Sequence, residues 1–259
     1  MTDPKRIPAE PAAEEDASQP LVSHLTELRN RLLKVVAVVM LSFFLLFPFA
    51  NNLYRWVADP LVSQMPAGSS MIATEVASPF LTPFKLSMVA AIFLSIPFIL
   101  HQIWSFVAPG LYKHEKRLAI PLLISSILLF YAGALFAYYI VFPLVFAFFI
   151  GTAPEGVAVM TDIGKYLDFV LTLFVAFGMA FEVPVALIIL VKMGIVEPDE
   201  LRAKRSYVIV GAFVIGMLLT PPDVISQTLL AIPLWLLFEA GLYCTKYVTP
   251  EPSKDNNPS

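Results

Sequence analysis

Charge is scarce in this chain: only 14% of its 259 residues are Asp, Glu, Lys or Arg, against roughly 25% in an ordinary soluble domain. With 58% hydrophobic residues and a mean hydropathy of +0.77, that scarcity excludes an ordinary globular fold and indicates a membrane protein. Cysteine is nearly missing as well, and the single Cys244 excludes an intrachain disulfide. His24, His101 and His114 are scattered, and HExxH, GxSxG, a phosphate loop and paired intramembrane aspartates are all lacking. Metalloprotease, hydrolase and ATPase readings therefore lose their usual residues. No catalytic residue, metal or cofactor is expected, and any work on a substrate must draw on a partner or an ion gradient. Internal repeats, common in secondary transporters, do not stand out. A secretory leader is not expected either, because PAEPAAEEDASQP follows Lys5 and Arg6 where an apolar stretch would have to begin.

What is present is a series of apolar runs, measured against the ~20 residues a helix needs to cross ~30 Å of hydrocarbon. Six emerge, at 35–54, between 85 and 113, from 118 to near 142, at 169–191, at 206–222 and from 224 to about 243. The last two are joined by the turn TPPD. The third is expected to end near Phe142, with FIGTAPEG as a loop beyond it. The polar segments 1–20 and 249–259 read as disordered tails around a membrane domain at 21–248. Trp56, Trp104, Tyr166 and Tyr207 fall near the expected span ends, where amphipathic rings prefer to sit.

Fourteen of the 17 Lys and Arg residues then fall on one side of the membrane, leaving Arg55, Lys85 and Lys165 on the other. By the positive-inside rule both termini are cytoplasmic. The expectation is an all-α membrane protein of six transmembrane helices, kinked and curved, with two short C-terminal spans. Kinks follow from Pro48, Pro97, Pro184 and Pro233, each of which removes a backbone donor and crowds the carbonyl four residues back. In lipid those freed carbonyls must be satisfied by neighbours or water. The fifth span has thirteen clearly apolar residues, VIVGAFVIGMLLT, or ~20 Å. Either the bilayer thins beside it, or flanking Ser206, Tyr207 and the prolines complete the crossing.

Charged residues inside or beside these spans are the candidate functional groups. Glu182 is the one charge between Phe169 and Val191, and an intramembrane carboxylate either packs protonated against a neighbouring helix or serves a function. In HLTELRNRLL at 24–33, Leu25, Leu28 and Leu32 share a helix face, beside a stripe of His24, Glu27 and Arg31. Glu27 and Arg31, at i and i+4, suit an ordinary surface ion pair worth ~0.3–0.5 kcal/mol. Glu115 in APGLYKHEKR sits among Lys113, Lys116 and Arg117 and reads first as a solvated loop charge. Two carboxylates set in a basic face can also receive guanidinium groups, whose planar fork matches carboxylate geometry.

HLTELRNRLL, SMIATEVASPFLTPFKLS, FVAPGLYKHEKR, FEVPVALIIL and GAFVIGMLLTPPDVISQTLLAIPLWLLFE closely resemble TatC, the multispanning core subunit of the bacterial twin-arginine protein translocase. The resemblance runs in register over 21–247 and leaves out only the polar tails. It implies a receptor for the twin-arginine signal peptides of folded precursors, which assembles with TatB-type and TatA-type single-span subunits and uses the proton-motive force. It also implies self-association within the complex, contact with the lipid bilayer and no nucleic-acid partner. Matched motif by motif, Glu27 and Glu115 become the signal-binding carboxylates, with Arg29 and Phe106 beside them. Met217, Thr220 and Gln227 become a docking site for a partner helix. On their own chemistry Thr220 and Gln227 are equally ordinary span-end hydrogen bonders. The alternative function is a proton-coupled carrier of a small solute with Glu182 as its titrating site, and a third reading is a passive membrane scaffold.

Overall fold

The computed structural model describes residues 15–66, 69–107, 119–152, 154, 160–220 and 224–248. Among them every regular element is a helix, apart from an isolated bridge between Ile72 and Asp162. Helix α1 (Glu15–Leu46) passes through a 3-10 turn (Phe47–Phe49) into α2 (Ala50–Val62). Pro48 accounts for that turn, since it cannot bond the carbonyl of Phe44. Then follow α3 (Ser78–Val107), α4 (Ala119–Phe136), a π turn (Ala137–Val141) and α5 (Phe142–Gly151). The chain continues with α6 (Ile163–Ala180), α7 (Val183–Lys192), α8 (Pro198–Ala203), α9 (Arg205–Leu219) and α10 (Val224–Val248).

Five helical runs among the described residues are long and apolar enough to cross a membrane: Thr26–Val62, Ser78–Phe106, Ile120–Gly151, Ile163–Lys192 and Gln227–Thr245. Arg205–Leu219 is a shorter apolar helix. Three boundaries differ from the sequence expectation. Helix α1 is already formed at Glu15, the first described residue, inside the segment assigned to the N-terminal tail. The third run does not stop near Phe142; Pro143 is absorbed by the π turn before it, and α5 carries the helix on to Gly151. Helix α9 has only 15 residues, while α10, with 25, continues past its apolar crossing run of 19 residues, Gln227–Thr245, to Val248.

The prolines show how the helices stay intact in an apolar medium. Pro97 lies inside α3 and leaves the carbonyl of Phe93 without its usual donor; the Tyr131 hydroxyl of α4 donates to that oxygen at 2.9 Å. Pro60 in α2 frees the carbonyl of Trp56 in the same way, and Tyr138 donates to it at 2.8 Å. Tyr166 donates to the adjacent Val57 carbonyl at 2.7 Å. Polar rings thus meet the requirement that every backbone group in lipid be satisfied, and they fasten α2 and α3 to the helices facing them. The rings of Trp56 and Tyr138 also stack, 4.5 Å apart. Around them the main core gathers Val57, Leu61, Val141, Phe142, Leu167, Val170 and Phe177.

Two glycines are required where they stand. A Cβ on Gly133 would meet the Phe177 carbonyl oxygen at 2.5 Å, so α4 and α6 can approach this closely only with hydrogen at that position. Gly194, at φ 67°, closes α7: Ile195 N–H reaches back to Leu190 O and Gly194 N–H to Val191 O, each at 3.0 Å, a left-handed cap that suits glycine. A smaller apolar cluster of Leu187, Leu201, Phe238 and Leu242 joins α7, α8 and α10.

The loop after α2 is tied to the start of α6. Ile72 exchanges backbone hydrogen bonds with Thr161 and Ile163 at 3.0 and 2.9 Å. Asp162 caps α6 by accepting from Gly164 and Lys165, each at 2.9 Å, and its other oxygen accepts from Thr74 N–H and Oγ1 at 2.8 and 2.7 Å. The Lys165 amide, the Thr74 donors and the Gly164 amide hold the Asp162 carboxyl well below the usual carboxylate range. A depressed folded-state pKa means stabilisation that is present above the unfolded value of about 4 and lost as pH falls through the folded value. Asp162→Ala should therefore unfold at lower temperature than the parent at pH 7, with the gap narrowing as pH drops below about 4. Asp162→Asn, which keeps a capping oxygen, should lie between them. Thermal unfolding monitored across pH 3–7 checks the order; a gap independent of pH would remove the carboxylate from the explanation.

Candidate functional site

Near the N-terminus α1 presents Glu27 and Arg29 to solvent, while Arg31 turns inward toward α3. The Arg31 guanidinium donates twice to Oε1 of Glu27, from Nε at 3.0 Å and Nη2 at 2.6 Å. It also reaches Oε1 of Gln102 at 3.2 Å and the carbonyl of Ser105 at 3.4 Å. The expected i, i+4 pair is thus formed, and it is anchored to the last turns of α3. Half-buried Phe106 follows Ser105 in the same turn. Glu27 and Phe106 are consequently gathered at one end of the molecule by Arg31, a link between helices that spacing along the chain could not disclose. Arg29, roughly 200° around the helix from Arg31 at 100° per residue, is exposed. Glu115 lies outside the described residues.

At the opposite end, α9 stops against the start of α10. A Cβ on Gly216 would lie 3.2 Å from the Gln227 carbonyl, so these two helices are in close contact at the turn. Thr220 is buried and its hydroxyl donates to Gly216 O at 2.9 Å, the behaviour of an ordinary span-end hydrogen bonder. Met217 is half exposed, at 50%, and Gln227 is half-buried. The three residues expected to form a partner site therefore lie together around this turn, with Met217 facing outward.

Glu182 occupies the break between α6 and α7. Pro184 sits in the first turn of α7, and Glu182 N–H bonds Met179 O at 3.0 Å while Ala186 N–H bonds Glu182 O at 2.9 Å. Ser126 of α4 lies beside the carboxyl group, and Oε1 is buried with no hydrogen-bond partner. A buried carboxyl oxygen in that state is costly. Ser126 was not singled out from the sequence; a serine in an apolar helix gives no signal until the fold sets it beside an acid. Among the described residues no three His, Cys, Asp or Glu side chains gather as metal ligands.

The charged helix end, the half-buried acid and the apolar spans have counterparts among known proteins. A family model described as Sec-independent protein translocase protein (TatC) matches residues 23–233. The chain belongs to the TatC family. The TatC protein of Azotobacter chroococcum is 60% identical over 246 residues, covering 94% of this chain and 96% of the relative. That of Escherichia coli K12 is 59% identical over 230 residues, 89% of each. A crystal structure of the twin-arginine translocase receptor TatC superposes with a TM-score of 0.78 at 41% identity, covering 88% of this chain and all of that one. TatC proteins are components of a protein translocase rather than enzymes, and this member is a multi-pass membrane protein whose apolar helices match that fold.

Proposed function

We propose that this TatC-family protein is the receptor and core subunit of a twin-arginine translocase in the inner membrane, with both termini in the cytoplasm. Glu27 and Glu115, with Arg29 and Phe106, bind the twin-arginine signal peptide of a folded precursor. Met217, Thr220 and Gln227, together with Glu182, receive the single spans of TatB-type and TatA-type subunits, and the proton-motive force drives export. The observation that carries the reading is the Arg31–Glu27 contact, in which Glu27 already accepts a guanidinium from within the chain. An exposed i, i+4 pair holds by only ~0.3–0.5 kcal/mol. A signal arginine can therefore displace Arg31, which retains Gln102 and Ser105 O as acceptors.

Photo-cross-linking of a twin-arginine peptide to the full chain in vesicles tests this. The twin-arginine peptide should cross-link beside Glu27, and a twin-lysine peptide should do so weakly, because ammonium lacks the planar fork. Equal cross-linking of both peptides would defeat the recognition scheme. Proton-dependent uptake of a small solute by the chain alone would favour the carrier reading instead.

A further inference from the structure

We infer that the groove between α3, α6 and the end of α9 holds the headgroup of a phospholipid bearing a primary ammonium, with its phosphate on Lys85 and its ammonium on Asp168. This goes beyond the receptor reading and does not depend on it. Lys85 donates to Asp168 across α3 and α6, and each side chain remains 55% exposed. The pair lines an open groove of ≈ 580 Å³ whose remaining wall includes Val89, Val175, Ala176 and Leu219. That volume lies in the range that takes a small ligand.

Depth favours a headgroup there. Helix α3 has 30 residues, ~45 Å against ~30 Å of hydrocarbon, so each end projects by ~8 Å if the excess is shared. Lys85 lies ~10 Å inside the start of α3 and Asp168 ~8 Å inside the start of α6, at 1.5 Å per residue. Both charges consequently stand at the hydrocarbon boundary. Beside them α9, with 15 residues, is ~22 Å long and too short to hold the boundary at full thickness. Leu219, at its end, forms part of the groove.

Chemistry selects among headgroups. An exposed Lys–Asp pair contributes little by itself, so each partner can be shared with a ligand of opposite polarity. A phosphate bound by Lys85 and an ammonium bound by Asp168 make two charge-assisted hydrogen bonds and leave neither charge unmatched. A trimethylated ammonium has no N–H to donate, and a glycerol headgroup brings no cation for Asp168. The apolar wall then faces the upper acyl chain.

The test is native mass spectrometry of the full chain released from vesicles containing equimolar phosphatidylethanolamine, its N-monomethyl and N-dimethyl derivatives, phosphatidylcholine and phosphatidylglycerol. Retained phosphatidylethanolamine should exceed phosphatidylcholine by about tenfold, with the methylated lipids in descending order between them. Lys85→Ala/Asp168→Ala should abolish the preference. Equal retention of all five lipids, preference for phosphatidylglycerol, or a preference that survives in the double variant would each overturn the assignment. The methylation series on the unmodified chain decides the matter even if the variant fails to fold.

Discussion

Glu27→Ala and Glu115→Ala should each weaken capture of a twin-arginine peptide by roughly 30-fold to several thousand-fold, the effect of removing one partner of a desolvated charge pair at 2–5 kcal/mol. In the free protein Glu27 is 47% exposed, and its contact with Arg31 is too weak to give such an effect. The large loss requires the apolar stretch of the signal to cover the carboxylate, so that water no longer screens the new pair. Two consequences follow for a dose series measured by cross-linking. Full-length signals should show a larger Glu27→Ala defect than peptides truncated after the arginines, and added salt should weaken the truncated peptides more. Arg31→Gln separates recognition from architecture: it removes the internal competitor for Glu27 while glutamine can still bond Gln102. Peptide binding should persist in that variant. Normal binding by both glutamate variants would remove them from the recognition site.

The candidate site and the fold were legible in the sequence to the extent that they are local. The Glu27–Arg31 pair was readable because four residues make one helical turn, whereas the bond from Arg31 to Gln102, 71 residues away, needed the packing of α1 on α3. Lys85 was visible as a charge beside an apolar run, but its partnership with Asp168 across 83 residues was not. Prolines carried a mixed message. Pro48 and Pro184 mark real interruptions, while α3 and α10 pass through Pro97 and Pro233. The difference at Pro97 is the hydroxyl of Tyr131, which supplies the missing donor from another helix. Loss of charge alone could not separate the third span from the loop after it, since both are uncharged as far as Pro154. The π turn that carries the helix past Pro143 depends on the packing of Tyr138 and Val141 in the core.

Glu182→Ala should leave insertion, stability and signal-peptide binding close to normal, yet cut partner recruitment and transport by about 10- to 150-fold, the equivalent of a hydrogen bond to a charged group at 1.5–3 kcal/mol. The expectation rests on a carboxyl group that the fold leaves incompletely satisfied. Ser126 of α4 lies beside the group, yet Oε1 is buried with no partner, more than a packing role would leave unmet. A carboxyl group near mid-span costs about 2.5–3.5 kcal/mol on insertion scales, and removing it should therefore not impair insertion. What it supplies is an acceptor or donor for a polar side chain on an incoming single span, in a position where lipid offers no competitor. Glu182→Gln keeps hydrogen-bonding capacity and should transport better than Glu182→Ala. Ser126→Ala is the complementary control: it removes the polar neighbour within the chain and leaves the carboxyl group in place, so a packing role for Glu182 predicts loss of thermal stability in that variant, and a recruitment role predicts retained co-purification of the partner subunit. The measurements are co-purification of a single-span subunit and export of a folded twin-arginine precursor. Full export by Glu182→Ala would end the recruitment role, as would equal losses of stability and export in Ser126→Ala and Glu182→Ala.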